Sequence, residues 1–276
     1  MAARRNLPLL AAFACVVGLV VVGVLGLAVP AAHERDAAML HGFLALDRPS
    51  VNFEINVVAH LADTLPYAVA GLACIGVALV RGRRGRALAV LFLLLVTGAT
   101  TQVLKHLLAQ PRLESWLNDQ LPPTSWPSGH STAAMTLALC AVLVAPPALR
   151  TTAVLLGGAF AVAVGYAVLV LGWHYPSDVL GGYLVAGLWT SLAVAVLHGV
   201  EAPEVVRRPA WEPVAVLATG AAAIAVVVLG ARADSVALYA LERPTFVAGA
   251  LSIALLALAL VTTVSASSAR GARPAP

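Results

Sequence analysis

Three short stretches hold the residues that could do chemistry. The first is Lys105-His-Leu-Leu-Ala-Gln-Pro-Arg112, in which Lys105 is the only lysine of a chain that carries 16 arginines. Two cations about two helical turns apart can clamp a doubly charged phosphoryl group; the plainer reading is a snorkelling lysine and a loop arginine. The second is Ser125-Trp-Pro-Ser-Gly-His130, directly before an apolar run. Pro127 suits the first position of a helix, which puts Ser128, Gly129 and His130 in a first turn with unpaired N–H groups. Such a turn binds anions, and Gly129 has no side chain to block close approach. The Ser128 hydroxyl can donate, and His130 can give up a proton near neutral pH; the plainer reading is a helix cap with an interfacial histidine. The third is His174-Tyr-Pro-Ser-Asp178. At i and i+4 the two outer side chains meet if the turn is helical. A carboxylate on one imidazole nitrogen leaves the other as nucleophile or base; the plainer reading is a proline-started helix with an aspartate favourable to its dipole.

The elements that must position these residues follow from composition. The 276 residues are 61% hydrophobic and 11% charged, with mean hydropathy +0.92, where soluble domains run about 45–50% and about 25%. A soluble globular protein, a disordered chain and an ordinary nucleic-acid binder are excluded. Several apolar runs near 20 residues are long enough to cross a hydrocarbon core of about 30 Å, and eight spans are read, at about Leu7–Val29, Leu65–Val80, Ala87–Leu108, Ser131–Leu149, Thr151–Leu171, Val179–Val200, Pro213–Gly230 and Thr245–Val261. The expected fold is all-α, a polytopic membrane helical bundle. The first run is longer than a signal-peptide core and reads as an anchor. Residues 30–64 and 109–130 read as long loops, and 172–178 as a short, dense one. Cys15, Cys74 and Cys140 lie within apolar runs and read as small core residues.

With the N-terminus inside, the inner segments hold 11 of the 17 basic residues and 3 of the 13 acids, giving +8 inside and −4 outside. Basic residues favour the cytoplasmic side, so both termini are expected there, in a plasma or inner membrane, with all three motifs on the outer face. The run Arg81–Arg86 reads as an inner-leaflet anchor rather than a nucleic-acid patch. The span middles are nearly free of charge, which disfavours an ion-coupled transporter.

Together the stretches offer two cations, an anion-binding helix start, two histidines and a carboxylate. That inventory fits phosphoryl transfer through a phosphohistidine. It lacks the carboxylate cluster of a hard-cation site and the third ligand of a zinc site, so no metal is expected.

The chain resembles the type 2 phosphatidic acid phosphatase family, membrane lipid phosphatases related to vanadium haloperoxidases. That family's pattern is Lys, six residues, Arg, Pro; then Pro-Ser-Gly-His; then Ser-Arg, five residues, His, three residues, Asp. Lys105 and Arg112 match the first part, Pro127 to His130 the second, and His174 and Asp178 the third. The likeness covers about residues 60–200. The resemblance implies that His174 attacks phosphorus, Asp178 orients it and His130 protonates the leaving oxygen. It also implies that Lys105, Arg112, Ser128 and Gly129 hold the phosphoryl oxygens, with no cofactor. Two positions depart from the pattern. Leu113 follows Arg112, with Pro111 before it, and the Ser-Arg pair falls on Ala167 and Val168. Either the phosphate clamp is weakened and activity is low, or one of the outer arginines Arg35, Arg48, Arg232 and Arg243 stands in for the missing cation, the second being the expectation.

The expectation is therefore a six-span lipid phosphatase core over 1–200, with two further spans and a short tail over 201–276. The substrate would be a polyprenyl phosphate or diphosphate, phosphatidylglycerophosphate or phosphatidate, met in the bilayer. The rival reading is a non-catalytic lipid-phosphate binding or transport protein of the same fold.

Overall fold

The apolar runs form helices, and no strand occurs among the described residues. The structure, a computed structural model, describes residues 2–109, 125–201 and 233–268, the side chains of 2–5 and 233–236 excepted. Its helices are α1 (Ala2–Ala28), α2 (Pro30–Leu44), α3 (Asn52–His60), α4 (Thr64–Val80), α5 (Arg84–Leu107), α6 (Gly129–Val144), α7 (Arg150–Val170), α8 (Pro176–Val200), α9 (Ala233–Glu242) and α10 (Pro244–Ser268). The fold is an all-α membrane bundle. Five helical stretches are long and apolar enough to cross a bilayer: Asn6–Ala28, Arg84–Leu107, Pro147–Val170, Pro176–Val200 and Pro244–Ser268; α3 and α4 together make a sixth, bent by 53°. The expected span Pro213–Gly230 lies outside the described residues.

Two sequence expectations are corrected. Residues 30–64, read as a loop, hold α2 and α3. Pro30 pre-sets the first turn of α2, and the following alanines, Glu34, Arg35, Met39 and Leu40 are good helix formers; their charges only keep the helix from being a span. The run expected to reach Leu149 ends as a helix at Val144, because Pro146 and Pro147 follow and a residue before proline is driven out of helical geometry.

At 16 residues, α6 is about 24 Å long and forms the bundle's centre, with 12 of its residues buried. Small residues let neighbours close in, as is common where helices pack in membranes. In α1, Gly18 lies against Leu184 and Gly26 against Ser177 of α8. A threonine seam joins α5 to α6: Thr136 Oγ1 donates to Thr97 Oγ1 and Thr101 Oγ1 to Thr132 Oγ1, both at 3.2 Å. The seam fixes the register of α5, so that Lys105, one turn beyond Thr101, reaches the start of α6. The outer faces of α1 and α5, with Phe13, Val20, Leu88 and Leu95 exposed, are left for lipid.

The two ends of the bundle differ. At one end arginines satisfy the last carbonyls of α6, a placement that also suits the negative helix terminus. Arg81 donates to Val144 O at 2.6 Å, Arg86 to Leu143 O at 3.0 Å and Arg150 to Ala145 O at 3.3 Å. Arg86 also pairs with Glu201 at 3.1 Å. Arg81 and Arg86 of the run read as a lipid anchor thus also serve packing. The other end holds His130, His174, Asp36, Asp63 and Asp178.

Candidate active site

The turn that carries His174 is built by the end of α7. Gly172 adopts φ +70, its N–H donates to Leu169 O at 3.0 Å and the Trp173 N–H to Val168 O at 2.9 Å. This is a Schellman closure, which needs a left-handed residue where only glycine is unstrained. The chain then turns at once into α8, whose first residue is Pro176. One carboxylate oxygen, Asp178 Oδ2, accepts from both the Tyr175 N–H at 3.0 Å and His174 Nδ1 at 3.2 Å. His174 is 6% exposed and Asp178 2%. With Nδ1 tied to the carboxylate, Nε2 is the nitrogen that can act as nucleophile.

The start of α6 lies beside it. Pro127 is not the first helical residue: Ser128 is the N-cap and Gly129 the first, one residue later than expected. Serine wins the cap because its Oγ accepts the Ser131 N–H, here at 3.2 Å. Ser128 also donates its N–H to the Asp178 carbonyl at 2.9 Å, so the second and third motifs are bonded together. Gly182 makes that approach possible. A Cβ there would stand 2.7 Å from Ser128 O and 2.9 Å from Thr132 N, both backbone atoms that cannot yield. Lys105 Nζ lies 4.0 Å from where a Cβ of Gly129 would be, which brings the first motif to the second. The structure therefore gathers Lys105, Ser128, Gly129, His130, His174 and Asp178 at one end of the bundle. Arg112 lies outside the described residues.

Three further residues join the site: Trp173, within the dense 172–178 segment, and Asp63 and Asp36, which no local pattern announces. Asp63 Oδ1 is 3.0 Å from His130 Nε2, although 67 residues separate them. The Trp173 ring lies against the His130 ring at 5.3 Å between centroids. Asp36 of α2 accepts the Ser177 N–H at 3.0 Å and its hydroxyl at 2.5 Å, holding the first turn of α8 from behind. Burial pushes the Asp36 carboxyl up to about 7, against the opposing pull of the Ser177 hydrogen bond. The only cue was an acid just before an apolar helix for Asp63, and an acid within the charged segment after the first span for Asp36.

At the position of the missing arginine, Val168 is fully buried in the apolar core. Of the proposed substitutes, Arg35 and Arg48 are exposed, Arg243 lies over the Tyr239 ring at 4.9 Å, and Arg232 falls outside the described residues. Among the described residues no three His, Cys, Asp or Glu side chains converge as metal ligands. Cys15, Cys74 and Cys140 are free thiols.

The structure is a membrane helical bundle that brings a Lys, a Ser-Gly-His helix start and a His–Asp pair together at one end. Residues 86–201 match the model of the PAP2 superfamily. The fold is similar to the crystal structure of a transmembrane PAP2-type phosphatidylglycerolphosphate phosphatase from Bacillus subtilis, at 20% identity and a TM-score of 0.53, covering 69% of this chain and 97% of that one. No curated protein matches the sequence.

Proposed function

We propose that this protein is an integral membrane phosphatase that hydrolyses a lipid phosphomonoester or diphosphate through a phosphohistidine. The observation that carries the reading is the His174–Asp178 pair, bonded through the Ser128 N–H to the helix start that bears His130. His174 Nε2 attacks phosphorus, held in line by Asp178. His130 protonates the leaving oxygen. Lys105, Ser128, the N–H groups around Gly129 and Arg112 hold the equatorial oxygens, where charge accumulates in the transfer. Water then cleaves the P–N bond. The candidate substrates are polyprenyl phosphates and diphosphates, phosphatidylglycerophosphate and phosphatidate, whose tails would lie among the spans while the phosphate sits at their ends. The excess of arginine at the opposite end favours an extracytoplasmic active site with cytoplasmic termini.

The test is phosphate release by the purified protein in mixed micelles, over these lipids, with EDTA present. The expected result is metal-independent turnover of at least one of them, abolished in His174→Ala. Full activity in His174→Ala, or loss in EDTA restored only by added metal, overturns the mechanism. The rival reading, a non-catalytic lipid-phosphate binder, draws on Val168 in place of the family's arginine, and it predicts no release from any of these lipids.

A further inference from the structure

We infer that Asp63 is the positioning carboxylate of His130, so that the site works with two His–Asp pairs held at opposite ring nitrogens. The inference rests on the reading of His130 as the acid that protonates the leaving oxygen. Asp63 sits in the break between α3 and α4, at the N-cap position of α4, yet its side chain makes no capping bond. An N-cap aspartate ordinarily turns its oxygens back onto its own helix. Here one oxygen instead reaches across to α6, with Asp63 Oδ1 3.0 Å from His130 Nε2, while Oδ2 lies 3.5 Å from His60 Nδ1. The Trp173 ring stands against both imidazoles, at 5.3 Å from His130 and 5.6 Å from His60 between centroids. The 53° bend of the α3–α4 pair is what sets the break beside the start of α6. His130 is thus held by a carboxylate at one nitrogen, with the tilted Trp173 ring beside it.

The consequence is chemical. Asp178 holds His174 at Nδ1 and leaves Nε2 to attack; Asp63 holds His130 at Nε2 and leaves Nδ1 to face the leaving group. In the first step a bond forms between His174 Nε2 and phosphorus, the ester P–O bond breaks with its electron pair on the leaving oxygen, and that oxygen takes the proton of His130 Nδ1. In the second step water's oxygen bonds to phosphorus, the P–N bond breaks with its pair returning to His174 Nε2, and one water proton goes to His130 Nδ1. The ester and one water become an alcohol and phosphate, and His130 ends as it began. The proton on Nε2 stays on Asp63's side throughout, so Asp63 fixes which nitrogen works without itself exchanging a proton. Lys105 Nζ lies 4.0 Å from where a Cβ of Gly129, the residue before His130, would stand.

The experiment compares two phosphomonoesters on the full-length protein in micelles. Phosphatidate has an alkoxide leaving group that needs the proton; p-nitrophenyl phosphate has one that does not. The expected result for Asp63→Asn is a fall of roughly 10–100-fold in the ratio of phosphatidate to p-nitrophenyl phosphate kcat, a fraction of what general acid catalysis supplies, with KM for phosphatidate unchanged. Asp63→Glu should recover part of the ratio. An equal loss on both esters in both variants assigns Asp63 a merely structural role and overturns the inference. A gain on both esters would make the carboxylate a plug and also overturns it. His130→Ala separates the two levels. A selective loss there with none in Asp63→Asn leaves the acid in place and removes Asp63, whereas an equal loss on both esters in His130→Ala removes the acid itself and the inference with it.

Discussion

At the scale of single residues, the site asks for more positive charge than its described members supply. A phosphoryl group in transfer spreads charge over three equatorial oxygens, each of which needs a donor or a cation. In the proposed mechanism Lys105, the Ser128 hydroxyl and the N–H groups near Gly129 would cover part of that demand, together with Arg112 of the first motif. The pattern's further arginine is replaced by Val168, which is fully buried among apolar neighbours. Placing a guanidinium there means removing it from water inside a close-packed cluster, which is costly without a paired partner. Val168→Arg is therefore expected not to raise kcat/KM on any lipid phosphate, and an outer arginine is expected to do its work. Alanine replacement of Arg35, Arg48, Arg232 and Arg243 in turn should expose it as a loss of at least about 10-fold, the scale of a charged hydrogen bond of about 1.5–3 kcal/mol. A gain in Val168→Arg with no loss in any of the four would mean that the clamp is simply one cation short.

At the scale of elements, α2 braces α8. Its Asp36 takes both the N–H and the hydroxyl of Ser177, and Ser177 stands next to Asp178 in the first turn that orients His174. The helix lies outside the apolar spans, yet its carboxyl is buried, and that burial raises it from an ordinary 3.8 to about 7. An acid whose folded pKa is raised binds more protons in the folded state between those two values. Stability supplied by this group is therefore greatest at low pH and is lost as pH rises from about 4 towards 7, by at most about 1.4 kcal/mol per pH unit. A carboxamide at this position would imitate the protonated acid, its oxygen accepting the Ser177 N–H and its NH2 donating to the Ser177 hydroxyl oxygen. Asp36→Asn should thus gain on the wild type in thermal stability as pH rises through that window and hold a constant advantage above it. Melting both proteins in the same micelles between pH 4 and 8.5 reads the difference, which cancels every group they share. A difference that does not change with pH would place the Asp36 titration elsewhere.

At the scale of the molecule, what was legible in the sequence was local. A bilayer fixes the length of an apolar run, so the helices at Arg84–Leu107, Arg150–Val170 and Pro176–Val200 lie within a few residues of their expected spans. His174 and Asp178 share one turn, so their spacing carried their contact. The helices α2 and α3 were missed because hydropathy registers only what crosses. The Asp63–His130 and Asp36–Ser177 bonds were missed because they join residues 67 and 141 positions apart, and no periodicity spans such a gap. The charge asymmetry is a count over loops, and the described residues show one part of it: Arg81, Arg86 and Arg150 close one end of α6, while Ser128 and His130 stand at its other end. Orientation in the membrane then reduces to one question, which end faces the cytoplasm, and the proposal that it is the arginine-bearing end rests on the basic excess. Arg84 and Asp47 are exposed at the two ends, whereas Cys15 and Cys140 are buried. In a background with all three native cysteines replaced by alanine, Asp47→Cys should react with a membrane-impermeant maleimide on intact cells, and Arg84→Cys only after the cells are opened. The opposite pattern would put His174 on the cytoplasmic face and require the lipid phosphate to be met in the inner leaflet.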